Sequence, residues 1–307
     1  MATRPWLLPA AFILLGLIWG SSFLWIKIGV QEMDPATLVA YRISIGALAM
    51  LAYLRLSGEW LPWNARELAP LAVLGLVATA LPFLLITWGE QYIDSGTAAV
   101  LNSLTPIFSL ILAGLVLRTE TVMLVRVFGL VTGFAGAALL ASREFALRGD
   151  VLALAGTGAV TVAALSYALG ASLNKAMVHG TPRNVVAAGN LVFGAVYIWI
   201  FTALSGSDLG PPSQLDSIIA LLWLGLLGSF FAFLLLYFLI SHLEATVVTM
   251  VTYVFPVVGV ALGVVFLDEL LDARLIVGTV LVVVGIVVVT LRYDQIVRWV
   301  SGQGRRR

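Results

Sequence analysis

Ser95–Arg118 reads SGTAAVLNSLTPIFSLILAGLVLR, an apolar span with a proline near its middle and a short polar strip ahead of it. One half-chain later Ala245–Asp268, ATVVTMVTYVFPVVGVALGVVFLD, repeats the layout in register: Leu101 falls on Val251, Asn102 on Thr252, Pro106 on Pro256 and Leu117 on Leu267. Two halves on one plan follow. A proline deletes one main-chain donor and loosens the preceding turn, which lipid tolerates only where a neighbouring helix or a wet cavity takes up the freed carbonyl. On a helix, Asn102, Thr105 and Ser109 share one face, and Thr249, Tyr253 and Pro256 share a face on the second. A kink that serves packing alone is the plainer reading of either proline. The matched pair points instead to a pathway, because paired interrupted helices mark the binding site in repeat-built transporters.

Hydrophobic residues make up 61% of the 307 and charged residues 11%, with mean hydropathy +1.06. A soluble surface needs far more charge, so an all-α integral membrane protein in contact with the lipid bilayer is expected. The absence of cysteine excludes disulfides, thiolate metal sites and thiol nucleophiles. His179 and His242 fall in connections, and neither HExxH nor GxSxG occurs, so no metal, cofactor or catalytic residue is expected. Leu7 to Val30 has no small-residue cleavage site and reads as a first span rather than a signal peptide.

About 20 apolar residues cross the hydrocarbon. On that measure ten spans are expected, at about 8–30, 36–55, 68–88, 96–117, 124–141, 151–174, 184–203, 217–240, 246–267 and 275–292. Lys27 and Arg42 lie inside spans, and Arg143, Arg148 and Arg274 fall in connections on the side away from the N-terminus. The other lysines and arginines gather on the N-terminal side, which makes both termini cytoplasmic by the positive-inside rule. No acidic residue is expected within a span.

The duplication reaches further. Shifting by 148 lays Trp19 on Tyr167, Lys27 on Lys175 and Arg42 on Asn190; shifting by 149 lays Glu120 on Glu269, Gly129 on Gly278 and Gly136 on Gly285. Five spans per half turn the second copy upside down, which places a binding site near the midplane between the halves.

Trp19-Gly20-Ser21-Ser22-Phe23 with Lys27, Pro35, Arg42 and Ala47 resembles the first two helices of an EamA domain of the drug/metabolite transporter superfamily. Leu104-Thr105-Pro106 with Glu120 is similar to that domain's later helices, and Val254-Phe255-Pro256 with Asp268-Glu269 and Gly278 resembles them again. The resemblance implies two inverted five-helix repeats, at 8–142 and 149–292, and a basic cytoplasmic tail at 293–307. Within the superfamily the chain looks most like bacterial amino-acid exporters of the YddG type. A bacterial inner-membrane exporter of a small-molecule substrate is then expected, as a monomer or homodimer and with no nucleic-acid partner. A drug or nucleotide-sugar carrier is the nearest alternative, and a membrane-embedded enzyme the alternative from another class.

The helices that line the cavity in the resembling family supply Trp19, Ser22, Thr87, Gln91, Asn102, Thr105, Tyr167, Asn174, Ser229, Tyr237, Thr252 and Tyr253 here. For a serine or threonine, a bond back to its own helix competes with that role. Lys27 reads as a side chain that snorkels to the interface. Arg42 must lean on backbone carbonyls, on Asp94 or Glu269, or on an anionic group of the cargo. Glu120 and Glu269 read as acids at the positive ends of their own helices. Alternatively they pair with Lys175 and Lys27 as latches, one at each end, with Pro106 and Pro256 as the hinges between. Without an acid among the spans, facilitated efflux or exchange is expected rather than coupling to a proton on a carboxylate.

Overall fold

The computed structural model describes residues 6–112, 124–178, 180–243, 248 and 250–290. Glu120, His179, the inner ends of the expected fourth and ninth spans and the 293–307 tail lie outside the described residues. Among the described residues there is no strand. Eight helices are long and apolar enough to cross a membrane: α1 (Leu7–Gly29), α2 (Pro35–Leu56), α3 (Ala65–Gly89), α5 (Leu124–Arg148), α6 (Val151–Met177), α7 (Arg183–Ser205), α8 (Leu215–Ile240) and α10 (Ala273–Thr290). Two shorter apolar helices, α4 (Ser95–Ile111) and α9 (Met250–Phe266), are the proline-bearing stretches. The chain is a multi-pass membrane protein.

Short polar residues start the helices where the sequence breaks its apolar runs. The side chains of Asp34, Asn64 and Asp150 each accept a bond from the amide two residues on, at 2.9 Å, capping α2, α3 and α6. Pro35 follows its cap at a position where its missing N–H costs nothing.

The proline helices are not continuous. α4 breaks into Ser95–Asn102 and Thr105–Ile111. Pro106 has no N–H to give the Asn102 carbonyl, and the Thr105 hydroxyl donates to that carbonyl instead, at 2.8 Å. α9 opens with a tight 3₁₀ turn, Met250–Tyr253, before Val254–Phe266 becomes α-helical around Pro256. A second irregularity also recurs: α3 widens into a π-helical turn at Leu76–Ala80 and α8 into a longer one at Trp223–Phe231.

Packing follows the same exchange. α5 lies along α10, α2 along α7 and α4 along α9, while α3 packs on α6 as α8 packs on α1, and α1 on α9 as α6 on α4. When each helix is replaced by the one five places on, the first three of these pairings map onto themselves and the other four map onto one another. Glycines set the closest of these approaches. A Cβ at Gly136 would fall 2.7 Å from the Gly278 carbonyl oxygen, and one at Gly285 would fall 2.7 Å from that of Gly129. Small residues let membrane helices approach this closely, and the 149-residue shift, which relates Gly129 to Gly278 and Gly136 to Gly285, exchanges one of these contacts for the other.

One expected boundary moves. α5 runs on to Arg148, seven residues past its expected end at 141. Arg143 and Glu144, read from the sequence as residues of a connection, are carried inside a helix and buried. Apolar run length missed them because the helix continues through charges that bond to one another.

Candidate functional site

The two π-helical turns face the middle of the bundle, and each is met by the opening helix of the other half. A wider turn leaves a main-chain carbonyl to be satisfied from outside. In α8 that carbonyl belongs to Gly228, which accepts from Trp19 Nε1 at 3.1 Å. In α3 it belongs to Val77, which accepts from Ser166 Oγ at 2.6 Å. Ser166 adjoins Tyr167, the residue that the repeat lays on Trp19.

Around this crossing stand Trp19 and Ser22 of α1, Arg42 of α2, Phe83 of α3, Tyr167 of α6 and Ser229 of α8. Arg42 is only 4% exposed. Its Nε donates to Ser229 Oγ at 3.2 Å, and its guanidinium lies 4.0 Å from the centre of the Phe83 ring. Of the partners expected from the sequence, the two carboxylates are engaged elsewhere: Asp94 bonds Arg143 and Arg148, and Glu269 bonds two amides. A hydroxyl and an aromatic face hold the cation in their place. Phe255 of α9 closes the floor, with its ring 6.3 Å from Trp19 and 6.1 Å from Phe23.

The remaining expected site residues divide. Thr87 and Asn102 are buried, and Thr87 Oγ1 and Asn102 Oδ1 have no hydrogen-bond partner among the described residues. Ser22 and Thr105 spend their hydroxyls on their own helices. Tyr237 is buried against Phe233. Tyr253 turns to α10, where its hydroxyl donates to Thr290 Oγ1, and Thr252 precedes it in the 3₁₀ turn. Gln91 is exposed in the turn after α3 and lines a surface hollow of about 330 Å³ with Tyr92 and Arg148. Asn174 and Lys175 stand in the last turn of α6, with Lys175 exposed. Pro106 and Pro256 are both buried.

Polar bonds concentrate at one end of the bundle, on the elbow between α3 and α4. Lys27 does not snorkel. Its ammonium turns inward to the main-chain carbonyls of Glu90 and Ile93, the second at 2.8 Å. Glu269 grips the other side of the same elbow, accepting from the amides of Ser95 and Gly96 at 2.6 and 3.0 Å. The acid therefore caps α4 rather than its own helix, and among the described residues no ion pair joins it to Lys27. The two charges meet through the elbow, with the cation on its carbonyl end and the anion on its amide end, which is the polarity each bonds most strongly.

Beside the elbow, Arg143 is 1% exposed and bonds Glu144 at 2.7 Å, Asp272 at 2.8 Å, Asp94 at 2.9 Å and the Leu270 carbonyl at 2.6 Å. Arg148 adds a second bond to Asp94 at 2.7 Å. At the same end Glu32 accepts from the Ser213 amide and hydroxyl at 2.6 and 2.7 Å, tying the α1–α2 turn to the entry of α8. The Ser213 hydroxyl and amide hold the Glu32 carboxyl down to about 2.

The opposite end has fewer ties among the described residues. Asn184 donates to Glu59 at 3.0 Å. A cleft of about 400 Å³ opens there between Tyr53, Arg183, Asn184, Leu234, Tyr237 and Phe238.

Of the residues that meet at this crossing, the sequence pointed to Trp19, Arg42, Tyr167 and Ser229 but not to Phe83, Ser166 or Gly228. The shift of 150 that lays Ala78 on Gly228 was a usable signal for the paired turns. The Arg143 cluster had none, since its members are distant in sequence.

The model of the EamA-like transporter family matches this chain twice, over residues 7–142 and 154–291. An uncharacterized transporter of Archaeoglobus fulgidus is 28% identical over 286 residues, covering 93% of this chain and 98% of its own. The uncharacterized inner membrane transporter YedA of Escherichia coli K12 is 30% identical over 264 residues, with 84% of this chain and 82% of that protein covered. A probable terminal-alkyne amino-acid exporter of Streptantibioticus cattleyicolor is 25% identical over 306 residues, with 96% and 97% covered. A solved crystal structure superposes with a TM-score of 0.66 at 19% identity, over 92% of this chain and 97% of that one, and shares the fold. With both halves matched and relatives aligned along nearly the whole length, the chain belongs to the EamA-like transporter family and is a membrane transporter.

Proposed function

We propose that the protein exports small metabolites, amino acids first among them, by alternating access between two inverted five-helix repeats at 8–142 and 149–292. The cargo binds at the crossing of the two π-helical turns, and the termini face the cytoplasm across an inner membrane. Arg42 carries the reading. A buried arginine bonded through Nε to one hydroxyl and stacked on one ring keeps its two terminal nitrogens for a carboxylate, which a guanidinium binds in a two-pronged fashion. Trp19, Tyr167 and Phe83 supply apolar walls, and the exporter of Streptantibioticus cattleyicolor, whose name gives an amino-acid cargo, supports the choice of class. Asn102 and Thr87, buried with oxygens that have no partner among the described residues, are the further polar contacts of the proposed site.

Counterflow uptake of labelled amino acids into proteoliposomes tests it. Losing a charge-assisted bond of ~1.5–3 kcal/mol lowers apparent affinity about ten- to a hundredfold, so Arg42→Gln is expected to weaken uptake by that much. The variant should also lose the preference for an amino acid over its amide. Equal uptake and unchanged preference in Arg42→Gln would overturn the assignment.

A further inference from the structure

Glu90 is a second buried charge-bearing side chain that the site above does not use. It stands one residue beyond α3 and is 0% exposed. Both carboxylate oxygens are buried with no hydrogen-bond partner among the described residues. An ionised carboxylate in that condition is strongly disfavoured, whereas a protonated one is a small neutral group that such a pocket accepts.

The neighbours leave it so. Lys27 of α1 is the closest cation, but its ammonium is committed to the main-chain carbonyls of Glu90 and Ile93 and not to the carboxylate. Arg42 of α2 and Glu269, from the connection before α10, are the other charges within electrostatic reach. α6 meets this level through Gly156 and Val160, which do not titrate. Asp94, Glu144, Arg143 and Arg148 are bonded to one another. On α3 itself Thr87, three residues back on the same face, is also without a partner among the described residues. The other acids at this end that are not exposed, Glu32, Asp34, Asp94, Glu144, Glu269 and Asp272, have hydrogen-bond donors. Glu90 has none among the described residues, and it sits on the elbow that Lys27 and Glu269 hold.

We propose that Glu90 is a proton-binding site of the transport cycle. A proton from water adds to one carboxylate oxygen, giving the neutral acid, and returns to water when the elbow opens to the other state. The Lys27–Glu90 pair thereby alternates between neutral and singly positive. The expectation of efflux or exchange rested on there being no acid within a span; Glu90 stands just beyond one and is buried, and it supplies the carboxylate that a proton-coupled cycle needs. The proton site stands without the amino-acid reading, and rests on it only for the cargo used in the transport arm of the test.

The full chain is reconstituted in phosphatidylethanolamine–phosphatidylglycerol vesicles, and infrared difference spectra are taken between successive pH steps. Wild type is expected to show the carbonyl stretch of a protonated buried carboxyl that disappears on raising pH. Glu90→Gln should lack that band at every pH, and Glu90→Asp should keep it at a shifted frequency. The amide bands of the same spectra confirm that both variants are folded. In the second arm a labelled amino acid is placed at equal concentration inside and outside, with the membrane potential clamped and a pH step imposed. Wild type is expected to move cargo to the acidic side, up to about tenfold per pH unit for one proton exchanged per cargo molecule. Glu90→Gln should exchange labelled for unlabelled cargo without accumulating it. A Glu90-dependent band with no amino-acid movement in wild type supports the proton site and counts against the amino-acid reading. A carboxyl band unchanged in Glu90→Gln, or accumulation in that variant equal to wild type, overturns the proposal.

Discussion

Lys27 and Lys175 occupy the same place in the repeat, yet one is bonded inward to two carbonyls and the other is exposed. The contrast extends to the ends they mark. At the Lys27 end a lysine, a glutamate and a five-membered cluster of charges tie α1, α3, α4, α5 and the entry of α10 together. At the Lys175 end the described residues leave a cleft of about 400 Å³ that reaches Tyr237. Alternating access, as proposed above, would use such a contrast: each end would adopt either arrangement in turn, and in this conformation the Lys27 end would be the shut gate and the Lys175 end the open one.

The comparison breaks most visibly at Arg143. Removing one partner of a buried ion cluster leaves uncompensated charge, so Arg143→Met is expected to destabilise the protein by roughly 3–5 kcal/mol. Lys175→Met at the open end should stay within about 0.5 kcal/mol, as exposed substitutions do. Thermal unfolding in detergent compares the two, and equal shifts would mean that the Lys27 end is no tighter than the other. Glu269→Gln gives a smaller effect that sharpens the picture. It keeps the shape of the side chain, but its amide nitrogen cannot accept from an N–H, so one of the bonds to Ser95 and Gly96 is lost and the other loses its charge, a loss of about 1–2 kcal/mol in the range of a helix cap. Because that energy holds only the closed gate, transport should shift toward the open state: faster hydrogen exchange at the Ser95 and Gly96 amides than in wild type, with the α5–α10 contact unchanged.

What the sequence revealed and hid follows from what each feature depends on. Apolar length and the in-register proline stretches were enough for the helices and the duplication, because both are local properties. At Pro106 the Asn102 carbonyl is freed as expected, but the Thr105 hydroxyl of the same helix takes it up in place of a neighbouring helix or a wet cavity. Arg42 stood out because a cation inside a span demands an explanation, but its partners Phe83 and Ser229 lie on other helices and leave no trace in spacing. Lys27 was misread because proximity to an interface says nothing about which way a long side chain turns. Arg143 and Glu144 were misplaced for a related reason: besides each other, Arg143 is compensated by Asp94 and Asp272 and Glu144 by Thr97, all far along the chain. Tyr253 shared a helix face with Pro256 in sequence, yet a 3₁₀ turn rotates it toward Thr290.

The chain has no native cysteine, so single cysteines report on either end without altering the background. Ser95→Cys sits beneath the Glu269 cap, and Asn184→Cys lines the cleft at the opposite end. Labelling each in proteoliposomes with a membrane-impermeant thiol reagent, supplied to both faces, measures directly which end water reaches. The account predicts rapid labelling at 184 and slow labelling at 95, with the rate at 95 rising when Glu269→Gln is added to the Ser95→Cys protein. Labelling at 95 as fast as at 184, and insensitive to Glu269→Gln, would contradict a gate shut at the Lys27 end.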